Sequence, residues 1–349
     1  MVDWLAGKRI KGTSTERTAS FIPSVGGWVE LGRTTLGSAN ADITVSSLAD
    51  KRYYMVLCNS LVTTNSAFVM KFNGDSGSNY ASRRQENGGA DATSVSRTNT
   101  ILCDVTSKEL FSVGYIANKS DKEKLMYTNA IAGNEIGAGT TPDRFESANK
   151  WANTSNAISS INLNNISTTN PTGSEMVVLG WDPADTHTTN FWTELSNVTL
   201  GADGDTLSSG TITAKKYLWG QAFIRTKTGV TTTDIRFNGD TGYNYSKRKS
   251  FAGGAEELSN SENRINVGGI DADNPSFINF FIINNSANEK LVMFHSVFST
   301  PTGAGYAPYR IEGVGKWANI LNQITEINFV NTGAGDYELG SKLIIWGSN

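Results

Sequence analysis

Short runs in which apolar residues alternate with polar ones, or continue unbroken for five or six positions, recur along the chain between clusters of Gly, Asn, Asp and Ser. Residues 42–45, 53–57, 67–72, 110–116 and 124–127 have the length and period of strands, as do 277–283 and 290–294. No segment keeps the 3.6-residue period of an amphipathic helix convincingly. The pattern predicts about eight strands in roughly 160 residues, the density of an all-β sandwich of jelly-roll type. A propeller or solenoid would need shorter periods repeated more often.

The pattern also repeats. Trp28-Val29-Glu30-Leu31 returns as Trp192-Thr193-Glu194-Leu195 at a spacing of 164 residues, and Lys51-Arg52-Tyr53 returns as Lys215-Lys216-Tyr217. The strongest match sets Phe72-Asn73-Gly74-Asp75-Ser76-Gly77-Ser78-Asn79-Tyr80 against Phe237-Asn238-Gly239-Asp240-Thr241-Gly242-Tyr243-Asn244-Tyr245. Further on, Gly137, Gly139, Pro142 and Arg144 pair with Gly303, Gly305, Pro308 and Arg310, and Lys150-Trp151-Ala152-Asn153 pairs with Lys316-Trp317-Ala318-Asn319, now at a spacing of 166. Only single-residue insertions separate the copies. The sequence therefore predicts two tandem homologous β-sandwich domains, residues 28–182 and 191–349. An arm (1–27) precedes them and a short polar linker (183–190) joins them.

Composition agrees with strands and turns: 35 Gly, 7 Pro and only 18% charged residues in 349. A net charge of -3 provides no broad basic field, so nucleic acid is not expected as the main partner. No stretch approaches the roughly 18 apolar residues of a spanning helix, so membrane insertion is not expected. The first residues contain no apolar core of a secretory signal. Cys58 and Cys103 belong to no metal-binding or redox spacing and read as two buried thiols.

Candidate chemistry centres on the repeated motifs. Asn-Gly is a turn signal because both residues tolerate positive φ. Asn73, Asp75 and Asn79, with Asn238, Asp240 and Asn244, are candidate calcium ligands, since calcium takes carboxylate and amide oxygens. One carboxylate per loop favours the alternative, an Asx-rich turn that satisfies its own backbone donors. Arg83 and Arg248, with Arg84 and Lys247 beside them, follow the loop and either pair with its aspartates, the favoured reading, or bind an anionic ligand. Trp151 and Trp317 read as core anchors, with sugar stacking as the competing role. Glu123-Lys124 and its copy resemble a solvated hairpin tip. The two histidines, His187 and His295, do not occupy equivalent positions, and no nucleophile elbow, zinc helix or phosphate loop is present, so an enzyme is not expected.

The segment Asp3-Trp4-Leu5-Ala6-Gly7-Lys8-Arg9-Ile10-Lys11-Gly12-Thr13-Ser14-Thr15-Glu16-Arg17 resembles the opening of structural proteins of phages and archaeal viruses, where it precedes β-sandwich domains. The Phe-Asn-Gly-Asp-x-Gly-x-Asn-Tyr and Lys-Trp-Ala-Asn blocks resemble repeats of the same virion-surface group. The resemblance implies a virion component of the capsid, its decoration, or a tail or fibre, acting by self-assembly with its own copies and other virion proteins; the residues call for no cofactor apart from the candidate calcium. The arm suits assembly on physical grounds as well. It is basic (Lys8, Arg9, Arg17), carries Trp4 and Ile10 as apolar anchors, and is too short to fold alone. The alternative is a carbohydrate-binding module used in host-surface attachment.

Overall fold

The computed structural model describes residues 27–106, 108–187, 189–226, 232–268, 275–299 and 303–349. Among these residues every helix or strand is a strand, so the chain is all-β as its pattern predicts. It forms two compact units. The first holds the described residues up to Ala130 together with Phe145–Thr193, and the second holds Ile131–Arg144 with Glu194–Asn349. The segment Ile131–Arg144, which in sequence closes a hairpin of the first repeat, is thus a member of the second unit.

The strands of the first repeat are β1 (Val29–Thr35), β2 (Asp42–Val45), β3 (Tyr53–Ser60), β4 (Ser66–Phe72), β5 (Tyr80–Glu86) and β6 (Ala92–Arg97). They continue as β7 (Thr100–Thr106), β8 (Leu110–Ala117), β9 (Lys124–Ala132), β10 (Asp143–Trp151), β11 (Ile161–Asn165) and β12 (Glu175–Trp181). One sheet has eight strands in the order β1-β12-β3-β8-β9-β10-β5-β6, and the other has four in the order β2-β11-β4-β7. Such crossing of sequence order is what a jelly-roll-like sandwich requires. The first repeat therefore has twelve strands where about eight were legible. β6 explains part of the difference: Ala92-Thr93-Ser94-Val95-Ser96-Arg97 is an edge strand without a buried face, so it carries no apolar alternation.

The second repeat reproduces this arrangement. Its strands are β13 (Thr193–Thr199), β14 (Thr206–Ser208), β15 (Tyr217–Ile224), β16 (Thr233–Phe237), β17 (Tyr245–Phe251) and β18 (Glu256–Glu262), followed by β19 (Ile265–Gly268), β20 (Ser276–Ile283), β21 (Lys290–Phe298), β22 (Tyr309–Trp317), β23 (Ile327–Val330) and β24 (Lys342–Ser348). They pair as β13-β24-β15-β20-β21-β22-β17-β18 and β14-β23-β16-β19, strand for strand the order of the first repeat. The register also repeats. Arg83 faces Thr93 as Arg248 faces Leu258, and both hairpins slip just after their first tyrosine. Ser96 and Ser261 mark that irregularity with φ of 50° and 49°.

In each unit the core lies between the two sheets. The first packs Phe68, Phe72, Tyr80, Ile161, Leu163 and Trp151 there, and the second packs Phe237, Tyr245, Ile265, Phe280, Trp317 and Phe329. Cys58 and Cys103 are buried thiols that form no disulfide, as their surroundings in sequence suggest.

Candidate functional site

The repeated loop is a closed knot of hydrogen bonds. Asn73 and Gly74 take φ of 54° and 66°, and Asn238 and Gly239 take 52° and 66°, so each Asn-Gly makes the left-handed turn its sequence signals. Asp75 accepts from the Trp151 indole Nε1 at 2.7 Å, from Asn79 Nδ2 at 2.9 Å and from the Gly77 backbone N–H at 2.8 Å. Asp240 accepts from Trp317 Nε1 at 2.7 Å, Asn244 Nδ2 at 2.9 Å and Gly242 N–H at 2.7 Å. Burial pushes both carboxyls up, but these donors more than offset it and hold each below the ordinary aspartate range.

These contacts correct the calcium expectation. N–H donors stand where a cation would need lone pairs, and the Asn73 and Asn238 Oδ1 atoms accept from backbone N–H groups of the facing segment at 2.7–3.0 Å. Among the described residues no three His, Cys, Asp or Glu side chains gather where a metal could sit. Asn73, Asp75, Asn79, Asn238, Asp240 and Asn244 close a loop onto a core tryptophan. Sugar stacking on Trp151 and Trp317 is corrected for the same reason: each is 1% exposed, packed against Phe72 and Tyr80 or against Phe237 and Tyr245.

The arginines do not reach the loop aspartates either. Arg83 pairs with Asp91 at 3.1 Å, and Arg248 pairs with Glu256 at 2.8 Å and with Asp143 at 3.4 Å. Lys124 and Lys290 do not sit at a solvated tip. Both are buried, with Lys124 Nζ donating to the carbonyls of Ser120, Lys122 and Asn153, and Lys290 Nζ to those of Asn288 and Asn319. The arm residues Trp4, Lys8, Arg9, Ile10 and Arg17 lie outside the described residues.

One opening in the first unit lies on the outer face of its eight-stranded sheet, a groove of about 780 Å³. It crosses seven neighbouring strands from β12 to β6, roughly 29 Å at the usual strand spacing. Trp28, Tyr53, Tyr115 and Trp181 form one end, with Tyr53 stacked on Trp181 at 5.2 Å and Trp28 edge-on to Tyr115 at 6.4 Å. Leu125 and Tyr127 form the middle, and Arg83, Thr93, Val95 and Lys150 the far end. Val95 is exposed on β6, which has no buried face, and Leu125 and Tyr127 are exposed because alternate residues of β9 point inward, including the captured Lys124. Their counterparts Leu291 and Met293 in the second unit are buried.

On the second unit the surface equivalent to the groove's far end is occupied by Ile131–Arg144. Arg144 Nε and Nη2 donate to Glu256 Oε1 at 3.0 and 2.8 Å, and Arg248 Nε donates to the Pro142 carbonyl at 2.9 Å. The Ser261 N–H donates to Ala138 O at 2.7 Å, the Gly137 N–H to Glu289 Oε1 at 2.6 Å, and Asn260 Nδ2 to Gly139 O at 3.0 Å. Lys316 Nζ, wholly buried, donates to the carbonyls of Gly133 and Glu135 and pairs with Glu289 at 3.4 Å. Burial lowers the Lys316 pKa below that of a free lysine, with Glu289 opposing. Neither this assembly nor the groove follows from a local motif. The legible signal was the repetition of Gly-x-Gly-x-x-Pro-x-Arg at residues 137–144 and 303–310.

No protein-family model matches the sequence, and no curated protein matches it. Among solved structures the chain is similar to the mouse laminin α1 chain, domains LG4-5, at 11% identity and a TM-score of 0.20, covering 92% of this chain and 89% of that one. It is also similar to the LG1-3 region of the laminin α2 chain, at 9% identity and a TM-score of 0.20, covering 89% and 64%. Neither likeness bears on the groove.

Proposed function

We propose that this chain is a non-enzymatic virion structural protein, a capsid, decoration, tail or fibre component, that acts through self-assembly with its own copies and other virion proteins. The observation that supports this reading is the groove of the first unit. An apolar surface of this length, rimmed by Arg83, Asp91 and Lys150, is of the kind that marks a protein contact. The likeness of the N-terminal arm to that of virion proteins supplies the setting, and its basic and apolar residues suit contact with a neighbouring subunit. Sedimentation velocity of the full chain over a concentration series tests the reading. Growth of the sedimenting species with concentration supports it, and a single monomeric boundary throughout overturns it.

The aromatic end of the groove favours a second reading, glycan binding for host attachment, because Trp28, Tyr53 and Trp181 offer ring faces next to polar edges. A glycan array separates the two readings. A signal abolished by Trp181→Ala and kept by Arg310→Glu, a substitution in the second unit, favours the glycan reading, and a blank array favours assembly alone.

A further inference from the structure

We infer that the first unit's face around β5, β6, β9 and β10 is the docking site for residues 303–310 of a second copy of this chain, so that copies join head to tail. The inference rests on the self-assembly reading and specifies its contact. The second unit already contains the same contact in filled form. There, Gly137-Ala138-Gly139 and Pro142-Asp143-Arg144 lie against β17, β18 and β22. The chain carries each half of that contact once more, and both halves face solvent.

The loop half is 303–310. It keeps Gly303, Ala304, Gly305, Pro308 and Arg310 in the same spacing, and positive φ recurs at its first glycine, 109° at Gly303 against 91° at Gly137. In the filled contact the Arg144 side chain is 4% exposed, whereas that of Arg310 is 63% exposed. The face half keeps the groups that hold the loop. Arg83, Asp91, Ser96, Glu123 and Lys150 stand where Arg248, Glu256, Ser261, Glu289 and Lys316 stand in the second unit. Arg83 and Asp91 are already paired at 3.1 Å, and Lys150 and Glu123 at 3.2 Å, as their buried counterparts are.

Charge and hydrogen bonding then assign the contacts. Arg310 meets Asp91, Arg83 meets the Pro308 carbonyl, the Ser96 N–H meets the Ala304 carbonyl, and Glu123 accepts from the Gly303 N–H. Two polar positions have changed in the apolar direction: Val95 replaces Asn260 and Ala81 replaces Ser246. Tyr306, exposed at the loop tip, replaces Thr140. The open contact is therefore more hydrophobic than the one within the chain, as suits an association between separate molecules. Because loop and face are different surfaces, the interface is heterologous and gives a ring or a filament, not an isolated two-fold dimer.

Paired charge reversals test this on the full chain, with Arg310→Glu and Asp91→Arg made in separate preparations. Both side chains are exposed, and circular dichroism confirms the fold of each variant. Sedimentation velocity is expected to show each variant alone weakened about 30-fold or more in self-association. Their equimolar mixture is expected to recover assembly, since every contact between unlike copies joins opposite charges. Assembly of the wild type with undiminished assembly of Arg310→Glu overturns the docking mode and leaves the self-assembly reading standing. A wild type that stays monomeric at all concentrations overturns the reading itself.

Discussion

Replacing Asp75 by alanine isolates the loop knot of the first unit, and its cost can be worked from the contacts. The Trp151 Nε1–H loses its acceptor in a buried setting, which costs about 1–3 kcal/mol. The Asn79 amide and Gly77 N–H are solvent-facing and recover water, so each loses only about 0.5–1 kcal/mol. The total is about 2–5 kcal/mol, confined to the unit that holds Trp151, and Asp240→Ala should cost the second unit the same because its distances match. Equilibrium urea unfolding followed by tryptophan fluorescence measures both. A loss under about 0.5 kcal/mol would refute the knot as a stabilising element. So would a wild-type midpoint that rises with added calcium and falls with chelator while Asp75→Ala responds to neither, since that would place the cation where the structure places N–H donors.

Two further outcomes follow from burial and charge. Burial pushes the Cys58 thiol up to about 12, so a thiol reagent should leave it unmodified at pH 8 until denaturant is added; rapid labelling of the folded chain would contradict its place in β3. Asp75 and Asp240 titrate lower in the folded chain than in the unfolded one, so their contribution is present above the unfolded value of about 3.9 and is lost as pH falls through the folded values. The urea midpoint of the wild type should therefore drop between pH 5 and 2 more steeply than that of the Asp75→Ala, Asp240→Ala double variant, and parallel curves would contradict the assignment.

The duplicated fold was legible because the residues of the loop are consecutive: Phe72 to Tyr80 and Phe237 to Tyr245 spell the same turn twice, and the tryptophan each aspartate holds follows 76 residues later in one copy and 77 in the other. What was not legible depends on partners far apart in sequence. Lys124 reads as solvent-facing, yet three carbonyls draw the lysine inward and the strand's alternation turns Leu125 out. The groove takes its aromatic end from Trp28, Tyr53, Tyr115 and Trp181, which belong to separate segments that only the strand order brings together. Ile131–Arg144 carries the sequence of the first repeat, but its arginine and backbone carbonyls find their partners on β17, β18 and β22.

The most direct test of the head-to-tail contact is disulfide trapping. Asn260 reaches Gly139 within the second unit, so the equivalent pair between copies is Val95 and Gly305. Chains carrying Val95→Cys and Gly305→Cys are mixed and mildly oxidised, with the native Cys58 and Cys103 buried away from the reaction. The account predicts a covalent dimer on non-reducing gels that needs both variants together. Cross-linking no greater in the mixture than in either variant alone would contradict it.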